Sequence, residues 1–195
     1  MACTDVSKDE QNCGSCGNAC KGGEFCSAAP KLCACPSPAN FLGTDITPSM
    51  FDQVINQSVF QIGIGPAIGG TSLNALLIGA QTGQGGTVID KNYTLTAPSG
   101  GGIPSFPLVA ALYGVDVSGM AADATYAVTA GTLRFDTLTH TAAPDPVCDE
   151  LKGTLTNVTF QGATGSLQTG ITVDPQGCTF TIPKLAFDIK TGAGC

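Results

Sequence analysis

The sequence predicts an all-β protein: an antiparallel β-sandwich, or a barrel, preceded by a small disulfide-rich module. Three observations carry that prediction. Seven of the ten cysteines crowd into the first 35 of 195 residues, whereas Cys148, Cys178 and Cys195 are spread over the last 48. Downstream, apolar and Thr residues alternate at period two in several segments, which is the spacing of a half-buried strand. Gly and Pro clusters punctuate those segments often enough to turn the chain back on itself. Charged residues are only 12% of the chain and the formal charge is −7, so the basic footprint of a nucleic-acid binder is absent. No run of about 18 apolar residues is present to form a spanning helix.

The amino-terminal block, residues 1–35, is too rich in Gly, Asn and Ser to bury an apolar core, so covalent staples must replace one. Its cysteines are Cys3, Cys13, Cys16, Cys20, Cys26, Cys33 and Cys35. Disulfides on this scale require an oxidising compartment, which places the protein outside the cytoplasm, in the medium or on the outer cell surface. The chain opens Met1-Ala2-Cys3 with no apolar export segment. The expectation is therefore a signal peptide already removed. A lipid anchor on Cys3 would leave nine cysteines, whereas ten pair evenly, and full pairing is the expectation. Zinc is the competing use of Cys13-x-x-Cys16. It lacks both a second such hook and a nearby His pair, since His140 is the single histidine. An iron–sulfur spacing is missed by one residue between Cys16 and Cys20. Asp5-x-Ser7-x-Asp9 starts like a calcium loop, but Glu10 and Cys16 stand where Gly and Glu are required.

Asn12-Cys13-Gly14-x-Cys16-Gly17-Asn18-x-Cys20, followed by Gly23 and Cys26, resembles the cysteine repeat of the plant stigma-specific secreted proteins. It also resembles the NCGxCGxxC repeats of extracellular proteins from myxobacteria. The adjacent cysteines usual near Cys26 in the plant repeats are missing here, so the bacterial version is the closer likeness. The resemblance covers residues 3–35 and implies an extracellular, disulfide-bonded, non-catalytic module. It further implies a six-cysteine unit, Cys3 through Cys33, leaving Cys35 to pair with Cys148, Cys178 or Cys195. The pairing expected on that basis is Cys35 with Cys195 and Cys148 with Cys178.

Residues 36–46, opening Pro36-Ser37-Pro38-Ala39-Asn40, read as a short semi-rigid linker. The second domain then occupies 47–195. Thr47 and Pro48 suit the start of a short helix over 48–56, with Met50, Val54 and Ile55 at helical spacing. Gly63 to Gly70 is glycine-rich, but it has neither the dinucleotide spacing nor the Lys of a phosphate loop. Leu76–Ile78 and Leu108–Leu112 are continuously apolar and read as central strands buried on both faces. Tyr93–Thr96, Thr132–Phe135, Gly153–Phe160, Thr179–Ile182 and Leu185–Ile189 alternate and read as half-buried strands. About 155 residues of this composition suffice for one core. The stretch from Phe106 to Asp188 also resembles secreted myxobacterial β-domains, a likeness that implies secretion and no particular chemistry.

Catalytic signals are sparse. A Ser–His–Asp triad would have to use His140, which sits between threonines ahead of a Pro-containing loop, and no nucleophile elbow is present. Paired carboxylates occur at Asp145, Asp149 and Glu150, yet aromatics to line a sugar cleft are only 6%. The same three residues flank Cys148, and they are the candidate ligands for a weak calcium site. No other cofactor is indicated. Thr94-x-Thr96, Thr137-x-Thr139-x-Thr141, Thr154-x-Thr156 and Thr179-x-Thr181 fall at irregular intervals. They read as solvent-facing positions on half-buried strands rather than as a periodic ladder. Asn56, Asn92 and Asn157 open glycosylation sequons, relevant only in a eukaryotic source.

The resulting expectation is a non-catalytic extracellular or cell-surface protein, bacterial in character, acting in structure, assembly or adhesion. Its partners would be copies of itself or other surface proteins, with no nucleic acid and no transmembrane span. The alternative is a soluble binding module for a saccharide or protein partner, calcium-dependent in one version. The scarcity of aromatics and the absence of Trp weigh against the saccharide.

Overall fold

The structure is a computed structural model. It describes residues 12–16, 18–21, 24–26, 32–42, 59–64, 72–81, 87–98, 107–116, 122–139, 149–166 and 170–191. Two short strands, β1 (Phe25–Cys26) and β2 (Cys33–Ala34), form a small antiparallel ladder in the cysteine module. The remaining strands are β3 (Val59–Ile64), β4 (Ser72–Gln81), β5 (Asn92–Thr96), β6 (Leu108–Asp116), β7 (Ala124–Thr139), β8 (Asp149–Ser166), β9 (Gly170–Val173) and β10 (Thr179–Thr191). They form one antiparallel sheet in the order β10-β8-β7-β6-β4-β3. β5 adds to the second half of β7, and β9 to the far end of β8. The all-β, antiparallel class expected from the alternation is the class found. The helix expected over 48–56 lies outside the described residues.

One core unites the sheet. Leu76 and Ile78 of β4, Leu95 of β5, Val109 of β6, Tyr126 and Phe135 of β7 and Phe160 of β8 all contribute to it. Phe180, Ile182 and Phe187 of β10 complete it. Residues 74–80 of β4 are buried on both faces, because Leu77 forms a second apolar cluster with Leu108 and Ala110 on the opposite side from Ile78. The continuous apolar runs at 76–78 and 108–112 are therefore central strands, as their sequence predicts, although Leu112 is only half-buried.

The sheet closes on its core through a bend that crosses three strands. In β7 the inward residues are Tyr126 and Val128, then Leu133 and Phe135. In β8 they are Leu151 and Leu155, then Val158 and Phe160. In β10 they are Phe180 and Ile182, then Leu185, Phe187 and Ile189. Each run keeps period two, and all three change parity at the same level of the sheet; β7 changes again between Phe135 and Thr137, which returns Leu138 to the core. Three unusual residues line up there. Gly131 lies at φ 131° between the Ala130–Thr159 and Thr132–Thr156 pairs, and Asn157 adopts φ 49°. Pro183 lies opposite Asn157, between the Ile182–Val158 and Lys184–Thr156 pairs. A Cβ added at Gly131 would come within 2.7 Å of Val158 Cα, so only glycine fits this crossing. The two segments read as separate strands either side of Pro183 are thus one strand, β10. Among the described residues it has a ladder on one side only, where a missing N–H is tolerated.

The segment read as a linker makes specific contacts with the β-domain. Pro38–Asn40 form one 3-10 turn, with Ser37 N donating to Asn40 Oδ1 at 2.8 Å. Directly after it, Phe41 is 1% exposed, stacked on Phe180 with centroids 4.9 Å apart and edge-on to Tyr126 at 6.0 Å. Asn74, a buried polar side chain, joins three elements: Nδ2 donates to Asn40 O and Oδ1 accepts from Gly114 N, both at 3.0 Å. Phe25 of β1 stacks on Tyr113 of β6 at 4.8 Å. The cysteine module is therefore joined to the β-domain by packing as well as by the chain.

Candidate functional site

Disulfides hold the cysteine module together and tie it to the β-domain. Cys13 bonds Cys26, Cys20 bonds Cys33, and Cys16 is bonded as well. Among the described residues there are no free cysteines. The Cys13, Cys20 and Cys33 sulfurs cluster, but all three are oxidised and so lack the thiolate that binds zinc. Cys35 bonds Cys178, a pairing 143 residues apart in sequence. This corrects both expected long-range bridges, Cys35–Cys195 and Cys148–Cys178. The reason is positional: Cys178 immediately precedes β10 beside Gly162, and the 3-10 turn that seats Phe41 on Phe180 delivers Cys35 to the same spot. Cys3, Cys148 and Cys195 lie outside the described residues.

The broadest polar feature is the outer face of β5, β7, β8 and β10. With Tyr93 and Leu95 turned to the core, Asn92, Thr94 and Thr96 face outward. Register then assembles rows that no sequence interval displays. Thr94 lies opposite Thr132, Thr132 opposite Thr156, and Thr156 opposite Lys184. The neighbouring row runs Asn92, Arg134, Thr154 and Ala186. Beyond the bend, Thr159 and Thr181 are paired, their hydroxyls 3.0 Å apart, and Thr129 Oγ1 donates to Thr159 O at 3.3 Å. Adjacent strands are about 4.8 Å apart, so these hydroxyls form a closely spaced array. Thr94, Thr96, Thr139, Thr156, Thr179 and Thr181 are exposed, and Thr137 and Thr154 half-buried, in keeping with the solvent-facing reading.

Ion pairs border the array. Arg134 bridges two carboxylates, Nη2 to Asp90 at 2.6 Å and Nε to Asp136 at 3.1 Å. Asp90 is held for this at φ 60°, its N–H donating to Phe135 O at 2.8 Å. Lys152 meets Asp188 at 3.1 Å and Lys190 meets Glu150 at 3.6 Å. The hydrogen bond to Asp90, and then the charge of Asp136, raise the pKa of Arg134; the hydrogen bond to Asp188 does the same for Lys152. Such exposed pairs contribute little to stability and chiefly fix the pattern of charge on the face.

Asp123 is the described carboxyl whose pKa is raised, and the cause is desolvation. The residue as a whole is exposed, but its carboxyl lies against Gly114, where an added Cβ would collide with it. No sequence motif marks Asp123, because its contact with Gly114 depends on how the chain returns from β6 into β7.

Of the candidate calcium ligands, Glu150 lies in β8 with its carboxylate on Lys190 and its backbone N–H bonded to Thr139 Oγ1. Asp149 begins β8. Its side chain, Asp145 and His140 lie outside the described residues. The charged residues bordering the Thr array, Asp90, Arg134, Asp136, Lys152, Asp188 and Lys190, are not among the sequence candidates. Their signal is charge at i and i+2 on strands the alternation already identifies, as at Arg134 and Asp136 or Asp188 and Lys190. No helix among the described residues is long and apolar enough to cross a membrane. The chain matches no protein-family profile, no curated protein and no solved structure.

Proposed function

We propose that this is a non-catalytic extracellular or cell-surface protein that works in structure, assembly or adhesion through the outer face and edges of its sheet. The observation that carries the reading is that outer face: four strands wide, built of Thr hydroxyls and bordered by ion pairs on β7, β8 and β10. A polar, hydrogen-bonding surface of this kind suits contact with another hydrated surface, which small-molecule chemistry does not require. Three features support the extracellular part. The described cysteines are oxidised, the module is stapled to the domain through Cys35–Cys178, and the cysteine block resembles secreted repeats. Paired charges favour specificity of contact over raw affinity, because a partner must match the sign pattern of Arg134, Lys152 and Asp188.

The test is to add labelled full-length protein to unpermeabilised cells of the source organism and to image the natively isolated protein by negative stain. Saturable surface retention or ordered assemblies are expected, and both should weaken when Thr132 and Thr156 are replaced by Lys. Retention unchanged by those replacements would exclude the outer face. Monomers that neither assemble nor bind the surface would overturn the function itself.

A further inference from the structure

We propose that two copies of this chain pair along β10, antiparallel and centred on Ala186, to give a closed dimer. The inference rests on the assembly reading above and deepens it by naming the partner and the edge. β10 ends the sheet, and among the described residues no strand pairs with its outer side. Such an edge presents unpaired N–H and C=O groups, a template for another strand. Pro183 and the bend confine the straight part of the edge to Lys184–Thr191.

Charge selects the register. For two copies to continue one sheet with their core faces on the same side, the two-fold axis must stand normal to the sheet. Each pair then joins residues of like orientation, so the axis passes between two copies of one residue. Centring on Ala186 sets Lys184 opposite Asp188 of the second copy, and does so twice by symmetry. It also sets Leu185 opposite Phe187 on the apolar side. Centring on Phe187 instead opposes Lys184 to Lys190, and centring on Lys184 or Asp188 opposes each to itself. Centring on Leu185 pairs no charges. Centring on Ile189 opposes Asp188 to Lys190, but Lys190 is already on Glu150 and that pairing runs past the end of β10. The charges on the outer face agree. Arg134, Lys152 and Lys190 each sit on a carboxylate there, and Lys184 has none among the described residues. Asp188 presents Oδ2 to Lys152 at 3.1 Å, which leaves its other oxygen for a second ammonium. Directly opposed positions in an antiparallel pair have Cβ atoms about 5 Å apart, within reach of this contact. Because the contact is isologous, it closes at two copies and does not propagate.

The test is sedimentation equilibrium of the full chain with disulfides intact, for the parent and for Lys184→Glu and Asp188→Lys. The parent should dimerise in a concentration-dependent way that weakens with salt. Each variant alone opposes like charges twice, and should weaken the dimer about tenfold or more. An equimolar mixture of the two variants should restore it, because both cross-copy contacts between positions 184 and 188 then join charges of opposite sign. At concentrations where the parent is monomeric, Lys184→Glu should leave the unfolding midpoint unchanged, which separates pairing from folding. A parent monomeric up to ~1 mM, a Lys184→Glu variant that dimerises like the parent, or a mixture that stays monomeric would each overturn the proposal. Filaments would do so too, since they need a second edge. A monomeric parent that still binds cell surfaces would overturn the dimer and leave the broader function standing.

Discussion

Replacing Phe41 by Ala should destabilise this protein far more than any change within a free spacer would. Phe41 is 1% exposed, stacked on Phe180 and edge-on to Tyr126. Roughly 150 Å² of ring surface at about 25 cal/mol per Å² is worth roughly 4 kcal/mol. That falls within the range of about 3–5 kcal/mol measured when Phe is truncated to Ala in closely packed cores. For a chain of this size the loss corresponds to a fall in Tm of about 10 °C or more. Urea unfolding followed by circular dichroism, with the disulfides intact, reads it directly. Phe41→Leu retains most of the volume and should lose markedly less, which guards against an Ala variant too unstable to purify. A loss below about 1 kcal/mol for Phe41→Ala would refute the packing argument, because it would mean that residues 36–42 are a spacer and not part of the core.

Three further outcomes follow from the same contacts. Replacing Cys35 and Cys178 together by Ala opens a loop spanning 143 residues. A chain-entropy estimate of about 5 kcal/mol is its upper bound, so denaturant melts should show a loss of about 2–5 kcal/mol. Gly153→Ala should be strongly destabilising by the same assay, since its Cβ would overlap Arg134 O and lie 2.8 Å from Phe187 Cζ. Gly153 is what lets Phe135 and Phe187 meet edge-to-face across it at 6.2 Å. Asp123 gives a pH test. Its folded pKa is raised by desolvation above 3.8, so between the unfolded and folded values the native state holds more proton than the unfolded one. Stability from this group is therefore greatest below 3.8 and falls as pH rises through the folded pKa. Asp123→Asn should raise the neutral-pH Tm relative to the parent and remove that part of the pH dependence; a lowered neutral Tm would show the carboxylate to be stabilising.

Strand identity is legible wherever alternation is clean. Tyr93–Thr96 and Gly153–Phe160 alternate because one face meets the core and the other water. The runs at 76–78 and 108–112 are legible from continuity, with Leu112 less buried than its run implies. Ala124–Val128 and Gly170–Val173 are not, because Ala and Gly carry little signal of either period. The bend is hidden for a different reason. Gly131, Asn157 and Pro183 are unremarkable until register puts them side by side, and that register is a tertiary property. Pro183 accordingly reads as a break between strands. Phe41 is masked by the Pro-Ser-Pro that precedes it, which in isolation describes a spacer.

The outer face divides in the same way. Thr94, Thr154, Thr156 and Thr181 are recognisable as solvent-facing. Their irregular intervals along the chain, however, say nothing about neighbours across strands, where Thr94, Thr132 and Thr156 fall in one row. Arg134 and Asp90 meet over 44 residues of sequence, beyond any local motif. The choice among Cys148, Cys178 and Cys195 as partner of Cys35 is open in the sequence for the same reason. It is decided by where Phe41 docks.

We propose that this protein acts outside the cell, through the polar face of its sheet. Immunogold labelling of unpermeabilised source cells and their surrounding matrix tests it most directly, using antibodies against the folded, disulfide-intact chain. The cells carry either the parent or the Thr132→Lys, Thr156→Lys variant in its place. Gold on the outer surface or in the matrix is expected for the parent, and label lost to the medium for the variant. Parent label confined to the interior of permeabilised cells, or a variant retained outside as well as the parent, would contradict it.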